Sequence, residues 1–200
     1  MRLLRAVAVG LVAVAAFLGT PTTSGVGVGA AQASVALAVT LDELVDHADL
    51  AVVALATERR SEWAEIAGSR RIVTYTRFEV EQAVVGAAPA ELWVRTLGGV
   101  VGHIGQRVEG EAELGVGSRA MLFLTRAPDD ALVVTARAQG HFPIVTGEAS
   151  KRRLARSPNP GAVLTRKKPL VAAEQLLVGR DLDEAIQTVR ASRSRRHAGR

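Results

Sequence analysis

Hydrophobic and polar positions fall into blocks whose period changes along the chain. TLDELVDHADL, residues 40–50, sets Leu41, Leu44, Val45 and Ala48 at helical spacing. Thr40 and Glu43 occupy the two positions of a capping box, so a short amphipathic helix is predicted here. LAVVALAT (50–57) follows without a break, and its continuous apolar run predicts a buried strand. Residues 58–69 are polar, with Trp63 among charges, and are expected to form a loop or hairpin tip.

RIVTYTRFEVEQAVVG (71–86) is rich in β-branched and aromatic residues and predicts a long strand. Val73 and Tyr75 share one parity, while Phe78, Val80 and Val84 share the other. A bulge near Thr76 and Arg77 would re-phase the pleat and bend the strand. ELWVRTLG (91–98) is the next strand, and AMLFLTR (120–126), apolar on both parities, reads as a central one. A turn at Ala127-Pro128-Asp129-Asp130 leads into a strand over 131–140, and HFPIV (141–145) closes the series. Phe78, Val80, Leu122 and Leu124 are expected to face one interior. Near the C-terminus, Leu182, Ala185, Ile186 and Val189 form an i, i+3, i+4, i+7 stripe after the cap-like Asp181-Leu182-Asp183-Glu184.

Strands separated by turns rather than helices imply an antiparallel barrel or sandwich. The expected fold is mainly β: a five- to six-stranded antiparallel OB-like barrel with a short N-terminal helix and a C-terminal amphipathic helix. The expected organisation is a signal peptide (1–33), a β-barrel domain (34–148), a basic loop (149–169), and a C-terminal helix with a basic tail (170–200).

The signal peptide rests on Arg2 and Arg5 ahead of the uncharged run 6–19, then Ala31-Gln32-Ala33 before Ser34. A membrane span needs about 20 apolar residues, and Pro21-Thr22-Thr23-Ser24 interrupts this run. The expectation is cleavage after Ala33 and export to the periplasm or the medium, with no transmembrane span left. The chain has no cysteine, which excludes disulfides, thiol catalysis, a lipidated N-terminal cysteine and zinc–thiolate sites.

Charge is divided unevenly. The formal net charge is +5, but residues 151–200 carry +9 and residues 34–150 carry −6. The basic tail therefore sets the overall sign, and the composition gives no reason to expect a nucleic-acid partner. An unidentified protein or a polyanionic surface, such as anionic lipid headgroups, is the expected contact of the tail. A fold-back of the tail onto the acidic body is the competing expectation.

Residues 98–119 hold seven glycines without helical periodicity. No helix follows GGVVGHIG, as a dinucleotide fingerprint requires, and no Gly-Lys-Ser/Thr ending makes it a P-loop. Its glycines are expected to supply positive φ and close backbone packing within a long inter-strand loop. The same segment is the candidate ligand surface, through Gly98, Gly99, Gly102, His103, Gly105 and Arg107. The four histidines His47, His103, His141 and His197 are isolated in sequence and form no metal motif, although His103 and His141 both sit at loop–strand boundaries. Ser118 lacks a nucleophile elbow. No catalytic residue, metal or cofactor is predicted. Asp42, Glu43, Asp46, His47 and Asp49 are expected to be a solvated helix face. Trp63, Tyr75, Trp93 and Phe142 are candidates for a recognition face, although core positions suit most of them.

TLDELVDHADLAVVALA, IVTYTRFEVEQAVVG, LGGVVGHIGQRVEGE, GVGSRAMLFLTR and ARAQGHFPIV occur in an order that resembles an exported bacterial β-barrel family of uncharacterised function. The arrangement also resembles the OB-fold barrel of netrin-like modules and tissue inhibitors of metalloproteases. That resemblance implies a fold and no site residues: those inhibitors chelate a protease metal through an N-terminal disulfide-linked cysteine, which this chain lacks. The expected function is a non-catalytic exported binding module. The alternative is an exported hydrolase or metal-dependent enzyme whose site carries no sequence motif.

Overall fold

A computed structural model describes residues 35–147, 150–164 and 170–198. The expected signal peptide lies outside the described residues, as do positions 165–169 of the basic segment. Strand β1 (Val35–Leu37) leads into helix α1 (Leu41–His47). The capping box forms as expected: Thr40 Oγ1 accepts from the Glu43 amide at 3.2 Å, and Glu43 Oε2 accepts from the Thr40 amide at 2.8 Å.

Strands β2 (Leu50–Ile66) and β3 (Ser69–Val85) make one long antiparallel hairpin. Its turn is Ala67-Gly68, both at positive φ (49° and 72°), the geometry of a two-residue hairpin loop. The segment 58–69, expected to be a loop or hairpin tip, is the distal end of this hairpin and is strand as far as Ile66. Cross-strand neighbours there include Glu58 with Arg77 and Glu65 with Arg70, while Arg60 lies over the Tyr75 ring at 5.7 Å. Such pairs hold a solvated arm together without burial, so hydropathy misses it.

The expected bulge at Thr76-Arg77 is displaced. Register shifts leave Thr57 of β2, opposite that point, and Glu81 and Val84 of β3 unpaired. The even positions of β3 stay on one side through Ile72, Thr74, Thr76 and Phe78, because buried threonines fill the places where apolar residues were expected.

The chain continues through β4 (Glu91–Leu97), β5 (Gly99–Val101), β6 (Ile104–Gln106), β7 (Arg119–Arg126) and β8 (Leu132–Val134). The strand expected over 131–140 stops early. Ala136 and Arg137 take positive φ (53° and 55°) and start a 3-10 turn over Arg137–Gly140. Then come β9 (His141–Thr146), β10 (Arg152–Leu154), β11 (Ala162–Leu164), α2 (Ala173–Leu177) and α3 (Leu182–Ala198). Strands β10 and β11 replace part of the expected basic loop, because β10 pairs with β9 and β11 pairs in parallel with β1.

The large sheet is mixed, in the order β10-β9-β7-β2-β3-β4-β8. It is not wholly antiparallel: β4 and β8 pair in parallel through Val94–Leu132 and Arg95–Val133. β8 also pairs antiparallel with β7.

Two cores lie on opposite faces of β2 and β7. One gathers Val52, Ala54 and Ala56 with Phe78, Leu92, Val94, Leu122, Leu124 and Val134. Val80 packs against it, so the four expected interior residues do meet. The other gathers Ala51, Val53, Met121 and Phe123 with Leu41, Leu44 and Val45 of α1 and the Leu182, Ala185, Ile186 and Val189 stripe of α3.

Helix α3 runs on past Ser192 to Ala198. Its basic end lies on α1: Ser192 Oγ donates to Asp42, Arg193 Nη1 donates to the Val45 carbonyl at 3.0 Å, and Arg196 pairs with Asp46.

Phe78 is 1% exposed at the centre of the first core. We predict that Phe78→Ala lowers unfolding free energy by about 3–5 kcal/mol, measured by denaturant titration. A loss below about 1 kcal/mol would contradict the packing described.

Candidate functional site

The apolar interior turns polar toward one end of β2, β3 and β4. Leu92, Val94 and Phe78 give way to Thr96 and Thr74, and opposite Thr74 on β2 stands Ser61. Ser61 Oγ and Thr74 Oγ1 are 2.8 Å apart, and Thr74 donates to the Gly98 carbonyl at 2.7 Å. These hydroxyls wall a cleft of about 970 Å³. Leu97, Val108 and Leu114 supply apolar surface, Arg59 and Arg107 supply charge, and Glu111, His141 and Asn159 complete the lining.

Glycine builds the cleft's closest approach. Gly98 and Gly99 lie at φ +94° and +135°. A Cβ on Gly99 would stand 2.2 Å from Thr74 Oγ1 and 2.6 Å from Ser61 Oγ; one on Gly98 would stand 2.6 Å from the Gln106 carbonyl. No side chain fits there, so the backbone of β5 rests directly on the hydroxyl layer. Gln106 Oε1 accepts from the Ile72 amide at 2.9 Å and ties the β5–β6 hairpin to β3.

The opposite wall is pinned by Asn159, whose Nδ2 donates to the carbonyls of Val108 and Glu111 at 3.0 and 3.1 Å. Glu111 is 8% exposed. Burial pushes its carboxyl up to about 7, against the opposing pull of the Arg137 charge and the amides of Ala112 and Leu97. His141 is 4% exposed, and burial pushes its imidazole down to about 4, so it is neutral at physiological pH. Its Nδ1 lies 3.1 Å from Ser157 Oγ. The cleft lining therefore includes a carboxyl able to exchange a proton near neutrality and an uncharged imidazole. Arg107 pairs with Glu113 at 3.2 Å.

Gly98, Gly99, Gly105 and Arg107, four of the residues expected from sequence, line this cleft. Gly102 and His103 do not. They form the solvent-facing tip of the β5–β6 hairpin, Gly102 with φ +61° and open space around it, whereas His141 is buried. Among the described residues no three His, Cys, Asp or Glu gather as metal ligands. Ser118 lines the cleft, and its Oγ donates to the Gly115 carbonyl.

The aromatic residues do not share a face. Phe142 is in the core, edge-on to Phe123 with centroids 6.0 Å apart. Trp63 stands beside Ser61 on the cleft-side face with Arg70 over its ring at 4.9 Å, while Tyr75 and Trp93 lie on the opposite face under Arg60. On that opposite face Arg95 forms a two-point ion pair with Asp129, which holds the Asp129 carboxyl below its usual range.

The acidic cluster of α1 is not simply a solvated face. Asp42 and Asp46 receive α3, Glu43 caps α1, and Asp49 accepts from the Arg126 amide at 2.8 Å. Glu111, His141 and Asn159 were not foreseen as site residues. The visible signal was three threonines, Thr74, Thr76 and Thr96, at strand positions where the alternation calls for apolar residues. No protein-family model and no curated protein matches the chain.

Because the folded pKa of Glu111 is raised, the protonated state favours folding. That contribution is complete below the unfolded value of 4.5 and is lost as pH rises through about 7. We predict that Glu111→Gln gains stability relative to the native chain as pH rises from 5 to 8, by about 1–3 kcal/mol. Chemical denaturation across that range checks it, and a difference that does not vary with pH would contradict it.

Proposed function

We propose that this protein is an exported, non-catalytic binding module on an OB-like barrel, and that its ligand site is the cleft beneath the β5–β6 hairpin. The barrel reading is supported by the strand pairings, which run β7–β2–β3–β4–β8 and return from β8 to β7. Five strands in that ring, with the parallel β4–β8 contact, suit a Greek-key OB barrel, as the netrin-like resemblance implies. Export rests on the N-terminal basic, apolar and small-residue pattern.

The observation that carries the function is the cleft itself. It has the size and mixed lining of a small-molecule site, and its shape depends on two glycines that no other residue replaces. Its occupant is a small organic molecule with hydrogen-bonding groups set against an apolar body. The tail's contact with an anionic surface falls to residues 151–168, since Arg193, Arg195 and Arg196 engage α1.

A second reading is favoured by one observation: Glu111 and His141, shifted in opposite directions, line the same cleft. Such a pair suits general acid–base chemistry, and the protein would then be an exported hydrolase.

The test is a thermal-shift screen of small molecules and generic hydrolase substrates on the exported protein, whose first residue is expected to be Ser34. A cleft ligand at 100 times its Kd stabilises the protein by about 2.7 kcal/mol, and Gly99→Ala is expected to abolish the shift. Ligands that stabilise both proteins equally would place the site elsewhere. Turnover of a substrate, lost in Glu111→Gln with the fold intact, would replace the binding reading with the enzymatic one.

A further inference from the structure

The strand that carries Arg59 and Ser61 along the cleft has an open edge. β2 pairs with β7 only from Leu50 to Leu55, and Ala56 bonds to Ser118 and Gly117 just beyond. From Glu58 to Ile66 it pairs with β3 on one side, and among the described residues no backbone group bonds to its other side. The direction of its free groups follows from Ile72. The Ile72 amide donates to Gln106 Oε1, and its carbonyl accepts from the Gly98 amide at 2.8 Å, so both point away from β2. Trp63, opposite Ile72, therefore exchanges no backbone hydrogen bond with it, and its own N–H and C=O point to the open side. Alternation gives Arg59, Ser61 and Glu65 the same direction.

We propose that this edge joins two copies of the chain, residues 58–64 pairing antiparallel about a two-fold axis at Ser61. The charges favour that register over its two neighbours. It sets Arg60 opposite Glu62 of the partner subunit, and Glu62 opposite the partner's Arg60. On the cleft-side face it sets Arg59 against the partner's Trp63, a cation beside an indole. Glu58 meets the partner's Ala64, so no like charges oppose. Shifting the axis to Arg60 sets two arginines face to face, and shifting it to Glu62 does the same with two glutamates; like charges directly opposite destabilise a pair. Charged side chains on an edge strand guard against indiscriminate pairing, and of these three registers the charges favour the one at Ser61.

The dimer also completes the cleft's mouth. Arg59 lines the cleft, and among the described residues no carboxylate pairs with it; the partner's Trp63 stands beside it in the assembled pair. The proposal holds whatever the cleft binds, since it rests on the edge and its charges.

Sedimentation equilibrium over a concentration series tests it, on the exported chain and on Arg60→Glu, Glu62→Arg and the double exchange. The native chain is expected to approach twice the mass of one chain. Each single reversal is expected to weaken association at least about tenfold, and the double exchange, which restores opposite charges, to recover it to within about threefold. Arg60 lies over the Trp93 ring at 4.9 Å, so circular dichroism checks the fold of each variant. Glu62→Arg disturbs no such stack and carries the test if Arg60→Glu does not fold. A native chain that stays monomeric at its highest soluble concentration overturns the proposal. So does a dimer indifferent to Glu62→Arg.

Discussion

Where β2 and β7 pair, both are apolar on both faces, and the rest of the fold answers that constraint. Val52 and Ala54 lie against Leu122 and Ala120 on one side, while Val53 and Ala51 lie against Met121 and Phe123 on the other. Burying one such large side chain is worth about 1.5–3 kcal/mol, so neither face is left to water. The first face is closed by β3, β4 and β8 together with the loop residues Ala112 and Leu114. The second cannot be closed by strands that already pair at the edges, and helices α1 and α3 take that place. α1 runs directly into β2. α3 returns from the far end of the sequence and is fastened by its basic end to Asp42 and Asp46. The uneven charge of the chain thus has an internal use, joining its first helix to its last.

The cleft follows from the same layering. The interior is apolar where the strands are held on both sides and becomes a threonine–serine layer toward the arm, where β2 has lost β7. Hydroxyls there bond to one another and to the Gly98 carbonyl, which lets the glycine backbone of β5 close over them. Glu111 and His141 are buried without an opposing charge in hydrogen-bond contact among the described residues. Both move toward their uncharged forms for the same reason, loss of water, although the shifts have opposite sign.

Local signals in the sequence carried α1, α3 and the central strands. The Thr40–Glu43 box and the Leu182–Val189 stripe each need only a few neighbouring residues, and both form as written. The unalternating runs at 50–57 and 120–126 announced strands covered on two faces. The solvated arm was not legible, because Glu58, Arg60 and Glu65 are held by partners on β3 rather than by burial, and hydropathy is blind to such pairs. Strands β10 and β11 form through their pairing with β9 and β1, which the basic composition of 149–169 does not announce. For the site, the glycine segment pointed to the right wall. Gly98 and Gly99 were marked by their type, whereas Glu111 and Asn159 act through backbone groups that only the folded chain brings near. His103 was misleading: a histidine between glycines marked a hairpin tip, and the buried histidine was His141.

The central claim is that one strand pair, covered on both faces, makes the helices and the strands a single cooperative unit. Native-state hydrogen exchange tests it most directly. The account predicts that the amides of β2 and β7, together with those of α3 from Ala185 to Val189, share one slow opening with the same denaturant dependence. Exchange of α3 through a separate, much lower-energy opening, with β2 and β7 still protected, would contradict it and make the helices an appendage to the sheet.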